Sequence, residues 1–253
     1  MNIPEPRRRG FIPVAAVAVF LVTGAIVLVS ALWGAVEDAR GGGSGGSGAV
    51  TAAGEPDSGE WPGPQLYRDM LAELDVRERA PLTGYAREAF GQRWSDDVEV
   101  EFGHNGCDTR NDILARDLIR VEFRPGTRDC VVQSGLLNDY YTGTQIDFVR
   151  GPNTSNAVQV DHIVPLADAW MKGAQDLDPE LRRAFANDPD NLITVSGPMN
   201  QEKGAADAAT WLPPNPDFRC EYVKRQITVK HRYHLWVTPA ERDALTAQLS
   251  ACG

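Results

Sequence analysis

The apolar and polar positions of this chain change rhythm repeatedly, and each change marks an element. Val158 and Val160 alternate with Gln159 as in a half-buried strand. Asp161 and His162 follow, and then Pro165, which cannot donate to a sheet ladder. The strand is expected to end near Asp161, because a regular continuation sends adjacent side chains to opposite faces. Asp161 and His162 would then both face Asn191 and the helix that carries Asn200. A buried structural histidine is the competing reading of His162.

Upstream, Leu66, Met70, Leu71 and Leu74 have helical spacing before a stop at Pro81. "TGYAREAFGQRW" reads as a second short helix, and "VEVEF", residues 98–102, as a strand. "HNGCDTRNDILARDL" reads as a turn and then a helix capped by Asp108 or Thr109. "IRVEF", "CVVQ" and "TQIDFVRG" are further strands. Downstream come the helices "LADAWMKGAQ" and "PELRRAFAND", the strand "NLITVS", and a short helix that starts at Ser196-Gly197-Pro198 and runs to Gly204. "EYVKRQITVKHRYHLW" is helical by pattern, with enough Ile, Thr and Val to allow a strand segment. "TPAERDALTAQL" closes the chain with Thr238 as N-cap and Glu241 completing a capping box. The sum is an α+β fold: a mostly helical domain with a few antiparallel strands around a β-β-α unit at residues 158–204.

The N-terminal part is different. A short basic segment, residues 1–10, contains Arg7, Arg8 and Arg9 and precedes an uncharged apolar run, residues 11–33, long enough to cross a bilayer. The arginines place residues 1–10 in the cytoplasm and the remainder outside. A cleaved signal peptide is the rival reading, which makes the protein secreted rather than a single-pass membrane protein. Residues 34–60 are a Gly/Ser-rich tether, so the folded domain is expected over 61–253. Outside the cytoplasm, four cysteines without a C-x-x-C pair argue for disulfides rather than a zinc knuckle. Cys107–Cys130 and Cys220–Cys252 link near neighbours and are the expected pairs.

The net charge is −10, and without residues 1–34, which hold three Arg and one Glu, it is about −12. That is a poor global match for a polyanion. A nucleic-acid substrate would therefore need a local basic site, a metal ion, or both.

The candidate chemistry gathers in residues 158–204. Hydrolysis of a phosphodiester needs a base for water, and His162 can serve. A hard divalent cation prefers oxygen ligands, which Asp161 and the Asn200 amide offer. Asn191 could fix the imidazole tautomer by its amide or backbone. Lys203, three residues from Asn200, could hold a phosphate oxygen. Arg110 is a second phosphate candidate, with an ion pair to Asp112 or Asp117 as its alternative. His231, with His234, Lys230 and Arg232, forms one compact basic cluster, either a nucleic-acid contact or a solvated helix face. Trp211 is expected to be a packing anchor rather than a base-stacking platform.

"VDHIVPL", "NDPDNLITVSG" and "MNQEKG" resemble the core of the HNH endonucleases, whose ββα-metal fold has strand, strand and helix in this order. The fuller stretch from Gly106 to Cys252 resembles a secreted branch related to the C-terminal nuclease domain of GmrSD-type restriction enzymes. "CDTRNDILARDL", "YTGTQIDFVRG", "AATWLPPNPDFRCEYV" and "VTPAERDAL" belong to the same likeness. The resemblance implies a metal-dependent endonuclease with His162 as general base, Asp161 as metal ligand and Asn191 as the middle Asn. Asn200 stands where familiar members have a last His, which favours Mg²⁺ or Mn²⁺ over Zn²⁺. The implied partner is nucleic acid, DNA foremost, with no organic cofactor. Against this stands an extracellular binding module on a catalytically weak or inactive HNH scaffold. A cell-wall hydrolase or zinc peptidase lacks the H-E-x-x-H pattern such chemistry needs.

Overall fold

The structure, a computed structural model, describes residues 63–252. The expected basic segment (1–10), anchor (11–33) and tether (34–60), and residues 61–62 of the expected domain, lie outside the described residues. Among the described residues, no helix is long and apolar enough to cross a membrane.

Helix α1 (Pro64–Glu73) is followed by a 3₁₀ turn (Arg87–Phe90), α2 (Thr109–Asp117), and strands β1 (Leu118–Phe123), β2 (Val132–Asn138) and β3 (Gln145–Val149). Then come β4 (Val158–His162), α3 (Leu166–Trp170), α4 (Pro179–Asn187), β5 (Leu192–Ser196), α5 (Gly197–Lys203), α6 (Arg219–Arg232) and α7 (Pro239–Ala251). β1, β2 and β3 form one antiparallel sheet in sequence order, and β4 and β5 form a second. The α+β class holds, with small antiparallel sheets and seven helices among the described residues.

Every residue of β5 is buried, which explains its near-continuous apolar run. Ile193 and Val195 face a core built with Leu71, Tyr222, Ile227 and Leu245 from α1, α6 and α7. Leu192 joins Val158 and Val160 in a second core against Ile113, Leu114 and Phe148. The outer edge of β5 has no strand beside it, so side chains satisfy its backbone. Asp117 accepts from the Thr194 amide (2.6 Å), Asp139 accepts from the Ser196 amide (3.1 Å), and Arg116 and Arg225 each donate to the Leu192 carbonyl (2.8 Å). The little sheet is thereby held in one place. Gly197 turns the chain from β5 into α5 and passes so close to Asn156 that a Cβ would lie 1.9 Å from its carbonyl oxygen. No other residue fits there.

Several expectations need correction. "VEVEF" is a tight irregular loop, not a strand. His104 N donates to the Asp96 carbonyl, and Gly103 packs where a Cβ would meet the Val98 carbonyl at 1.9 Å. The chain therefore doubles back instead of pairing. β4 does not end at Asp161: it stays paired through His162, which faces Leu192. The capping box at α7 is half formed. Thr238 accepts from the Glu241 amide (3.2 Å), but the Glu241 carboxylate is buried against Lys172 (2.7 Å) and Lys230 (2.9 Å). The disulfides are those expected: Cys107–Cys130 ties the loop before α2 to the turn before β2, and Cys220–Cys252 ties α6 to the end of α7.

Candidate active site

A cleft of about 560 Å³ runs along β4, lined by Gln159, Val160, Asp161 and His162 in succession. Asn200 lies in its wall, and so do Arg87, Arg93 and Arg110. The parity question resolves here. Asp161 and His162 do point to opposite faces of the strand, as the unbroken register requires. Asp161 meets Tyr141 of the first core, and His162 lies against Trp94, which packs on the second. Both still line one cleft, because it follows the open edge of β4.

His162 Nε2 donates to the Ala186 carbonyl at 2.9 Å. That bond fixes the proton on Nε2 and leaves Nδ1 as the basic nitrogen. The imidazole lies nearly parallel to the Trp94 indole, with ring centroids 6.0 Å apart and planes 11° apart. Burial drives its pKa down to about 4, against the pull of the Ala186 carbonyl and of Asp161. Lys203 and Arg87 push in the same downward direction.

Asp161 is 6% exposed, and its Oδ2 accepts from the Tyr141 hydroxyl (2.7 Å) and pairs with Lys203 Nζ (2.9 Å). Oδ1 keeps no protein partner among the described residues. Burial and the Asp161 charge hold the Tyr141 phenol well above its usual range, so it stays a proton donor to the carboxylate. Asn200 donates through Nδ2 to Gln159 Oε1 (2.9 Å), which leaves its carbonyl oxygen uncommitted.

A hard cation fits this donor set. One carboxylate oxygen and one amide oxygen, both in an open polar cleft, match the way Mg²⁺ is held by few protein ligands with water and phosphate oxygens completing the shell. Among the described residues, no group of three His, Cys, Asp or Glu side chains could hold a metal alone.

The remaining candidates lie elsewhere than expected. Asn191 is fully buried and does not touch His162. Its Oδ1 accepts from the Val164 amide (2.8 Å), its Nδ2 donates to the Phe185 carbonyl (3.3 Å), and its own carbonyl takes the Ile163 amide (2.7 Å). Asn191 thus fixes the chain just after His162, while Ala186 fixes the imidazole. Lys203 is 2% exposed and outside the cleft lining; its ammonium is spent on Asp161 and on the His162 carbonyl (2.8 Å). A phosphate clamp needs a free cation, so Lys203 is better described as a brace.

His231 pairs with Glu73 (2.7 Å) on the α1–α6 side and lines no part of the cleft. The expected basic cluster is dismantled by folding. Lys230 is buried against Asp168 and Glu241, and Arg232 pairs with Asp188 and Asp190. Arg110 does lie in the cleft, with no salt bridge to Asp112 or Asp117, and burial together with Arg150 and Arg93 lowers its pKa. Trp211 packs against Tyr141, with ring centroids 5.1 Å apart, as a core anchor should.

Sequence reasoning missed Tyr141, Trp94, Arg87 and Arg93. The only local signal was the pair of arginines flanking "EAFGQ", and nothing in that stretch points to His162.

Comparison with known proteins agrees with the likeness in the motifs. Residues 108–248 match the family model for GmrSD restriction endonucleases, C-terminal domain. An uncharacterized secreted protein of Arthroderma benhamiae is 33% identical over 205 residues, covering 80% of this chain and 93% of the relative. No solved structure matches. More than half of the chain fits the family model, and the chain belongs to the family of GmrSD restriction endonuclease C-terminal domains.

Proposed function

We propose that the domain is an HNH-type, metal-dependent endonuclease that hydrolyses phosphodiester bonds of nucleic acid outside the cytoplasm. The observation that carries this reading is the convergence of His162, Asp161 and Asn200 on one cleft edged by three arginines. The order β4, β5, α5 supports a ββα-metal core, although two helices intervene between the strands. His162, held by Ala186 and Trp94, takes a proton from the attacking water through Nδ1. Tyr141 and Lys203 hold Asp161 in place, and Asn191 holds the chain that follows His162. Arg87, Arg93 and Arg110 orient the polyanion and supply the local positive charge that a net acidic protein needs. A Mg²⁺ or Mn²⁺ ion held by Asp161 Oδ1 and Asn200 Oδ1 would offset charge on the phosphate and the leaving oxygen.

The family description supports a nuclease role, and the description of the fungal relative as secreted supports work outside the cytoplasm. Residues 11–33 then serve as anchor or signal peptide and 34–60 as tether. The second reading, an inactive binding module, draws on Lys203 already pairing with Asp161.

Purified protein is expected to cut nucleic acid with Mg²⁺ or Mn²⁺ and to stop in EDTA. Binding without cleavage under every divalent ion selects the inactive module instead. Arg110→Ala is expected to weaken binding in EDTA and to flatten the dependence of log affinity on log salt by roughly 0.7–0.9, the value of one phosphate contact. An unchanged slope would remove Arg110 from the phosphate track.

A further inference from the structure

A second cavity, of about 260 Å³, opens beside the cleft and shares Arg87, Arg93, Trp94, His162 and Leu166 with it. Its remaining lining includes Phe90, Gly91 and Ala186. The pocket is thus apolar and aromatic within, and cationic where it meets the cleft. Its size falls just below the ~300–1,000 Å³ typical of drug-sized ligands, which suits a single planar ring system.

Trp94 shows that this place is built at a cost. Its backbone is left-handed (φ 54°), a conformation that bulky residues avoid and that persists where surrounding structure enforces it. The outcome is an indole set parallel to the His162 ring and lining both cavities. Glu88 adds a carboxylate to the lining, which turns a phosphate away from the pocket and towards the arginine rim.

We propose that this pocket is a base subsite, which receives the nucleobase next to the scissile phosphate while Arg87 and Arg93 hold the adjoining phosphates. It rests on the nuclease reading and adds the substrate class: strands whose bases are unpaired. A duplex would have to expel a base to fill the pocket, and unstacking opposes that. Trp94 supplies the aromatic contact, which tolerates any base because every base has a π-face.

The test uses single-stranded oligonucleotides with one abasic position moved stepwise along the strand, and the matched duplex, with Mg²⁺ or Mn²⁺. Loss of one stacked base is expected to slow cleavage at the neighbouring phosphate roughly 5- to 150-fold, with other phosphates unaffected. The duplex should be cut more slowly than the single strand. In Trp94→Ala the ratio of intact to abasic rates should fall towards one, whatever that variant does to the absolute rate, and Trp94→Phe should retain part of it. A general packing role for Trp94 would lower both rates and leave the ratio alone. Equal cleavage of intact and abasic strands overturns the subsite while leaving the nuclease reading standing. No cleavage of any nucleic acid overturns both.

Discussion

His162→Ala is expected to lower phosphodiester cleavage roughly 10²–10⁴-fold, the contribution usual for a positioned acid or base. The side chain is held on two sides, by the Ala186 carbonyl and the Trp94 ring, in the one tautomer that leaves Nδ1 free. Such restraint is hard to explain for a histidine that merely fills a core, because half of its polarity then faces an open cleft. The loss should fall on kcat more than on KM, since the cleft arginines proposed to hold the polyanion remain. Circular dichroism and an unchanged unfolding midpoint would show that the variant keeps the fold. Full activity in a folded His162→Ala protein would remove the proposed base and, with it, the HNH assignment.

The second large effect concerns stability. Lys172→Met is expected to destabilise the domain by about 3–5 kcal/mol, the usual cost of breaking a buried ion pair from one side. Lys172 Nζ lies within 2.9 Å of Asp168 (2.6 Å), Asp207 (2.8 Å) and Glu241 (2.7 Å), and all four side chains are buried. Lys230 bridges Asp168 and Glu241, and Arg79 reaches Asp207. Three carboxylates thus meet three cations in one balanced cluster. Removing one lysine leaves an uncompensated negative charge where water does not reach. Urea unfolding checks this, and a change below about 1 kcal/mol would contradict it.

The same cluster sets an acid limit. Burial by itself would raise the Asp207 pKa, but Lys172 and Arg79 override it and hold the carboxyl at about 2. A carboxyl held below its unfolded value of 3.8 adds stability above that pH and loses it as the pH falls through about 2. Stability should therefore decline between roughly pH 4 and pH 2, by about 2 kcal/mol from this group. Lys230 is raised by Asp168 and Glu241 despite its burial, so its share is complete at neutral pH and is lost only in strong alkali. In Lys172→Met the acid step attributable to Asp207 should shrink, which urea titrations at pH 2, 3 and 5 would register.

Much of this fold was readable one segment at a time. Pro64, Pro179 and Pro239 each stand at the start of a helix, Asp108, Asp178 and Thr238 cap theirs, and β1, β3, β4 and β5 fall on segments that read as strands, whereas β2 (Val132–Asn138) shares only Val132 and Gln133 with the expected "CVVQ". The strand misassigned at "VEVEF" had the right alternation but lacked a partner, and pairing is not a local property. Glu241 fits the local rule for a capping box, but its carboxylate pairs with two buried ammonium groups, Lys172 and Lys230, instead of the Thr238 amide.

For the site, the chain itself determined the chemistry on offer: an acid and an imidazole side by side on β4, an amide on α5, and cysteines spaced for two local disulfides. Tertiary structure decided which groups are free to use it. Lys203, Lys230 and Arg232 looked available in sequence, yet folding commits each to a carboxylate. Arg87, Arg93 and Arg110, scattered through unremarkable segments, line the cleft and form no ion pair among the described residues. A charge in the sequence is only a residue type; its partner depends on which distant carboxylate lies within about 4 Å, and burial then fixes how strongly the two hold each other. Asp161 and His162 follow the same logic. Strand parity sends them to opposite faces, and only the open edge of β4 brings both into one cleft.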